Sequence, residues 1–399
     1  MRGAGLALFL SVALALDGLT HFYLWNRLVA PLFALGSPPR LAATWALVAL
    51  ALVLPLGAIG SRVLAGHGSA FAWPAFAWMG LLFLLLVLLG AADALRGVLL
   101  AGARLAAFGA SNDTAQGISA WLAASYWRVA SPAALVVALA AGSIGMAAVR
   151  GTPAVKRVTI ELPALPRGLE GFTIVQLTDL HLGEILGDAW LRGVVARVNE
   201  LKPDLVAITG DLVDGSVQQL GPIVANLAAL NARLGVFFVI GNHEYYSGVE
   251  EWTTELRRLG IRVLRNERVT VGEGDGRLEV AGVDDPSGAR FGYAGGADVE
   301  RALSGYNRER PLVLLSHQPR TIDEAALHGA SLQLSGHTHG GQIWPFGYIV
   351  ALTQPYLHGW AKHGGAQIYV SNGTGYWGPP MRLATPAEIT FITLRPAAP

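Results

Sequence analysis

The segment WMGLLFLLLVLLGAADAL, Trp78 to Leu95, carries a single charge, Asp93. A helix of that composition has no polar face to turn toward water, so it needs lipid or the interior of a large core around it. Crossing a bilayer core of about 30 Å takes roughly 20 helical residues, and four apolar stretches reach that length. They run over 4–25, 41–60, 71–95 and 131–149. The first 150 residues hold eight Arg, three Asp, no Lys and no Glu. So little polar surface cannot cover a soluble domain, and residues 1–150 read as an α-helical membrane domain of four spans.

The rest of the 399-residue chain, residues 151–399, has the mixture of an ordinary globular domain, with 21 basic and 25 acidic residues. That slightly acidic balance excludes nucleic acid as the main partner, because a phosphate-backbone binder carries a basic face. The absence of cysteine removes disulfides, thiolate catalysis and sulfur-based zinc sites.

Details of the membrane part follow from local sequence. Ala13-Leu14-Ala15 has the small-x-small form of a signal cleavage site, but the apolar run continues past it and further spans follow, so an uncleaved anchor is expected. The stretch VLLAGARLAAF, within the third gap, reads as a short helix along the interface. Asp17 and His21 share one helical face and are expected to bond a neighbouring helix or meet headgroups, since the other spans offer almost no polar lining for transport. His67 reads as loop. The chain is expected to be a multi-pass protein of the cell (inner) membrane. Arg2, Arg62, Arg150, Lys156 and Arg157 on one side balance Arg27, Arg40, Arg96, Arg104 and Arg128 on the other, so the positive-inside rule leaves open the side that the globular domain faces.

From Val155 onward, short apolar runs alternate with amphipathic ones, which predicts an α/β domain whose strands are buried on both faces. The strand ends share a chemistry. FTIVQLTDLH ends in Asp179 and His181, LVAITGDLVD in Asp211 and Asp214, FFVIGNHE in Asn242, His243 and Glu244. LVLLSHQP delivers His317, and LQLSGHTHGG delivers His337 and His339. One Asp or Asn after a strand is an ordinary cap or turn residue. Capping has no use for histidine, however, and five successive tips carry these residues. Carboxylate, amide and imidazole donors without sulfur point to divalent Mn, Fe or Zn. Glu244, directly after His243, reads as a structural cap, and Arg290 in SGARFGYAGG as a possible phosphate contact.

The series D-x-H, G-D-x-x-D, G-N-H-E, lone His and G-H-x-H resembles the calcineurin-like metallophosphoesterases over about residues 170–395. The extension GHTHGGQIWP and the closing VSNGTGYWGPPMRLATPAEITF resemble a membrane-anchored bacterial branch, some members of which are UDP-2,3-diacylglucosamine pyrophosphatases of lipid A synthesis. The resemblance implies two mixed β-sheets sandwiched between helices. It implies that Asp179, His181 and His339 hold one metal ion, that Asn242, His317 and His337 hold a second, and that Asp211 bridges them. It further implies that His243 donates a proton to the leaving group, oriented by Asp214. A shared carboxylate suits two mutually repelling cations roughly 3.5–4 Å apart.

The function expected is therefore membrane-anchored, two-metal hydrolysis of a phosphorylated small molecule or lipid, with membrane lipids as partners. A phosphodiesterase acting outside the membrane on non-lipid substrates, and a catalytically silent sensor or scaffold, are the alternatives.

Overall fold

The computed structural model describes residues 3–63, 68–107, 113–163, 165–183, 185–293 and 295–397. His67 and Arg2 lie outside them. The chain forms two compact units, Met1–Met146 and Ala147–Pro399.

The N-terminal unit is helical: α1 (Gly3–Leu28), α2 (Pro38–Val63), α3 (Gly68–Ala107), α4 (Asp113–Ala124) and α5 (Tyr126–Ala147). Among the described residues three stretches are long and apolar enough to cross a membrane, Pro38–Gly57, Ala70–Ala106 and Tyr126–Ala147. This corrects the expected four. The first expected span is helical, within α1, but is not among these three. A second correction concerns VLLAGARLAAF, which continues α3 without a break to Ala107 and forms no separate interfacial helix. No proline or glycine pair interrupts it, so the helix propagates.

The polar groups of these helices pair with one another. His21 accepts from Trp78 Nε1 of α3 at 3.1 Å, so its tie is to a neighbouring helix. Asp93 of α3 accepts from Tyr23 Oη at 2.7 Å and from Arg27 Nε at 2.9 Å, and the Arg27 guanidinium lies 4.7 Å from the Trp127 ring.

The C-terminal unit contains, in order, β1 (Ala154–Leu162), β2 (Thr173–Leu177), α6 (Asp188–Leu201), β3 (Leu205–Ile208), α7 (Val217–Val224), β4 (Val236–Phe238), α8 (Asn242–Ser247), α9 (Val249–Arg258) and β5 (Arg262–Val263). There follow β6 (Glu267–Val271), β7 (Leu278–Gly282), α10 (Val299–Leu303), β8 (Leu312–Leu315), α11 (Ile322–Leu327), β9 (Leu332–Ser335), α12 (Gly347–Val350), β10 (Gly359–His363), β11 (Ala366–Val370) and β12 (Glu388–Pro396).

Two six-stranded mixed sheets result, ordered β1-β12-β2-β3-β4-β5 and β10-β11-β9-β8-β7-β6. Between them lies a core that includes Ile174, Phe237, Val280, Leu315 and Leu334. The outer faces are covered by helices: Leu191, Val198, Val249 and Trp252 pack on the first sheet, Val299, Leu303 and Ile322 on the second. Burial on both faces explains why these strands read as unbroken apolar runs. β2, β3 and β4 are parallel, as are β7, β8 and β9, so each set ends on one side.

The inter-sheet space is tight at Gly282, the last residue of β7. A Cβ there would stand 2.5 Å from both Leu264 Cβ and Val239 Cγ1. Gly282→Ala is expected to destabilise the C-terminal unit by about 1–3 kcal/mol through overpacking, read as a lowered thermal unfolding midpoint.

Candidate metal centre

The loops leaving the parallel strands bring the predicted residues together. Asp179, His181 and Asp211 arrive from β2 and β3, Asn242 and His243 from the start of α8 after β4, His317 from β8, and His337 and His339 from β9. Asp179, His181, Asp211, His317 and His339 are all buried. Open α/β sheets place sites where parallel strands end, and here two sheets contribute to one such place.

Backbone conformation marks the spot. Nine described non-glycine residues have positive φ, and five of them are Asp179 (53°), His181 (45°), Asp211 (49°), His337 (69°) and His339 (51°). Side chains rarely adopt that region, and residues held in it cluster where structure is over-determined for function. Gly241 permits the approach of β3 and β4: a Cβ there would strike the Asp211 carboxylate. At Gly336 a Cβ would strike Thr178 and Asp179.

Most of the imidazoles are oriented the same way, one nitrogen tied to protein and the other turned inward. His317 Nδ1 donates to Thr209 O at 2.8 Å, which leaves Nε2 facing Asp211 Oδ2 at 3.1 Å. His181 Nδ1 meets Asp214 Oδ1 at 3.0 Å and its Nε2 lies 3.2 Å from His339 Nε2. His337 Nδ1 lies 3.2 Å from His317 Nε2. His339 Nε2 is 3.5 Å from Asp179 Oδ1. Anchoring the outer nitrogen is how proteins fix the tautomer of metal-binding histidines. Asp179, His181 and His339 form one group able to hold a metal ion, and Asp211, His317 and His337 another.

Two further observations test the fit of cations to this pocket. Asn242 Oδ1 is buried without a hydrogen-bond partner, a costly state for an amide oxygen that a cation would relieve. The carboxylates also draw positive charge. Burial opposes the charged form of His317, yet Asp211 and Asp179 hold its pKa well above the usual imidazole value. Burial likewise opposes charge on His243, but Asp211 and Asp214 lift it to about 9. His337, buried beside His317, is instead pushed down to about 3. The donor set fits divalent metal ions.

His243 and Asp214 sit at the rim. His243 Nδ1 meets Asp214 Oδ1 at 2.6 Å, and Asp214 thereby spans His243 and His181. Burial raises the Asp214 pKa, but these two imidazoles outweigh it and hold the carboxylate well below its ordinary range. His243 Nε2 is 3.9 Å from Asp211 Oδ2, so His181, Asp211 and His243 make a third group with metal-binding spacing. The side chain of His243 is more exposed than those of His181, His317 and His339. Arg290, the possible phosphate contact, is an exposed residue of a 3-10 turn.

Two residues complete the centre: Glu244, which caps α8 as its place after His243 suggests, and Arg382, which the strand-tip pattern does not indicate. Glu244 accepts from the backbone N–H of Gly241 at 2.7 Å, of Leu212 at 2.8 Å and of Asp211 at 3.0 Å, so one carboxylate ties the β3 tip to the β4 tip. Arg382 is fully buried behind His339. Its guanidinium donates to Asn372 O and Gly375 O at 2.7 Å and to His339 O at 3.2 Å. Glu244→Ala would strand three buried N–H groups, and about 3 kcal/mol of lost stability is expected in chemical denaturation. Glu244→Gln, which keeps an acceptor oxygen, is expected to fall between the two.

Comparison with known proteins shows the family. Residues 172–341 match the family model of the calcineurin-like phosphoesterases. A transmembrane protein with metallophosphoesterase domain from Danio rerio is 39% identical over 275 residues, 66% of this chain and 62% of that protein. An uncharacterized metallophosphoesterase from Helicobacter pylori is 41% identical over 246 residues, 61% of this chain and 64% of that protein. The chain thus spans somewhat less than two thirds of either. One from Aquifex aeolicus is 39% identical over 245 residues, which cover 60% of this chain and 91% of the relative. With two mixed sheets, parallel strand tips that converge in Asp and His donors, and relatives of this similarity, the chain belongs to the calcineurin-like metallophosphoesterases.

Proposed function

We propose that this chain is a membrane-anchored phosphohydrolase that works with two divalent cations on a phosphate ester or diphosphate. The observation that carries the proposal is the convergence of ring nitrogens and carboxylates from five strand tips, with the unpartnered Asn242 Oδ1 beside them. Asp179, His181 and His339 hold one cation, Asn242, His317 and His337 the other, and Asp211 lies between the two sets. When bound, the cations supply charge for the phosphoryl oxygens and acidify the water that attacks phosphorus.

The remaining work falls to residues at the rim. His243 turns Nε2 toward the pocket and gives its proton to the departing oxygen. The Asp214 carboxylate favours the protonated ring and so keeps that proton in place. Asp214 accepts from His243 Nδ1 and holds the ring in one orientation. α2, α3 and α5 anchor the chain in the cell (inner) membrane as a multi-pass protein. Such an anchor suits a substrate that resides there, and a lipid-linked phosphoester, for example UDP-2,3-diacylglucosamine in lipid A synthesis, is the sharpest reading.

The purified full chain with Mn, Zn or Fe is expected to hydrolyse bis-p-nitrophenyl phosphate. No turnover with any of them would favour the silent sensor or scaffold. His243→Ala is expected to lose about 10²–10⁴-fold on a diester with an alkoxide leaving group, and less on p-nitrophenolate, which departs without a proton. Because Asp214 favours the protonated ring, the alkoxide reaction should fall as pH climbs past the His243 pKa. Asp211→Ala should bind fewer divalent ions per chain than the parent in elemental analysis, since that carboxylate serves both sets.

A further inference from the structure

No Asp, Glu, Lys or Arg stands between Glu324 and Lys362. The first part of this uncharged run is β9 and the buried metal loop, which explains itself. The stretch after the loop does not. Trp344 is 56% exposed, Tyr348 72%, Ile349 56% and Leu352 83%, four large apolar or aromatic side chains in nine residues. Tyr348 and Leu352 are four apart and lie on one side of the turn around α12.

The base of this segment is firmly seated. Ile343 and Gln354 are buried, Gly341 is in contact with Gly347, and Trp344 N donates to Leu383 O at 3.1 Å. The outward side chains are therefore presented by a fixed scaffold. The segment is also continuous with the metal centre. Gln342, three residues after His339, donates to Trp377 O at 2.8 Å and accepts from Trp377 N at 2.9 Å. The Trp377 ring lies 6.2 Å from that of His243.

Single exposed apolar residues are ordinary, whereas several in one short uncharged stretch mark an interaction surface. Its occupant is indicated by the chain itself. α5 ends at Ala147 and β1 begins at Ala154, so only six residues separate a span-length helix from the sandwich. An extended linker of that length reaches about 20 Å, which keeps the catalytic unit close to a bilayer. Trp and Tyr with aliphatic neighbours, and no charge, is the composition that settles at a bilayer surface.

We infer that the 344–352 segment is a bilayer-seating surface, with Trp344, Tyr348, Ile349 and Leu352 set into the lipid interface beside the metal centre. The inference rests on the proposal that α2, α3 and α5 cross a membrane, and it narrows the substrate to phosphoesters whose reacting group lies at headgroup depth.

The chain has no cysteine, so single substitutions give unique labelling sites. The full chain is reconstituted in vesicles of phosphatidylcholine and phosphatidylglycerol and spin-labelled, one position at a time, at Ile349→Cys, Leu352→Cys, Leu52→Cys in α2 and Glu200→Cys on α6. Both patch positions are well exposed, so these changes disturb no packing. At 349 and 352, relaxation by dissolved oxygen is expected to exceed that by an aqueous nickel chelate, as at 52, with the reverse at 200. If 349 and 352 behave like 200 while 52 reports lipid, the seating surface is refuted and the membrane anchor stands. Protection from both agents, with dipolar broadening between labels, would mean that a second copy covers the patch, and would also refute it. An aqueous signal at 52 would remove the anchor and this inference with it.

Discussion

Two buried carboxylates, Asp179 and Asp211, share a pocket with the imidazoles of His181, His317, His337 and His339, and the rest of the C-terminal unit is arranged to keep them there. Isolated ionised carboxylates at that depth are expensive, so each must be matched by positive charge or by hydrogen bonds. Asp179 accepts from the backbone N–H of His337, which ties the first sheet to the second. Gln176 Nε2 donates to Ser335 O at 2.9 Å one layer below and makes the same connection between the sheets. The sandwich and the site are held by the same links.

Charge in this pocket is distributed by position. Burial disfavours charge on His317, His243, His337 and His339 alike; Asp211 outweighs it at His317 and His243, whereas at His337 and His339 burial and neighbouring cationic groups prevail. Placing Arg382 behind His339 adds a fixed positive charge on the protein side. A guanidinium there would be hard to tolerate without acceptors, and the carbonyls of Asn372, Gly375, His339 and Thr385 supply them. The 372–375 loop is thereby wrapped around the guanidinium and pressed against the β2 tip, where Gly375 N donates to Asp179 O at 2.9 Å.

The strand tips were legible in the sequence because a short apolar run fixes where a buried strand ends, and histidine at that point has no capping role. The alternation of strands and helices was legible for the same reason. Arg382 was not, since its partners are backbone carbonyls and it stands forty-three residues beyond His339. Asp285 was missed as well. It is a buried carboxylate that accepts from Nε2 of Gln318, the residue after His317, at 2.9 Å. In the membrane part, apolar length alone overstated the number of spans. His21 pairs with Trp78 and Arg27 with Asp93, and those partners lie on another helix.

The left-handed backbone at five donor residues has one further consequence. Each such residue costs on the order of 1–3 kcal/mol that the surrounding fold must supply. A pocket bent into shape in advance leaves little rearrangement for an arriving ion, so capture can be fast and selective for size. A fold that supplies this strain itself holds the side chains in place with or without an ion, so loading changes charge far more than shape.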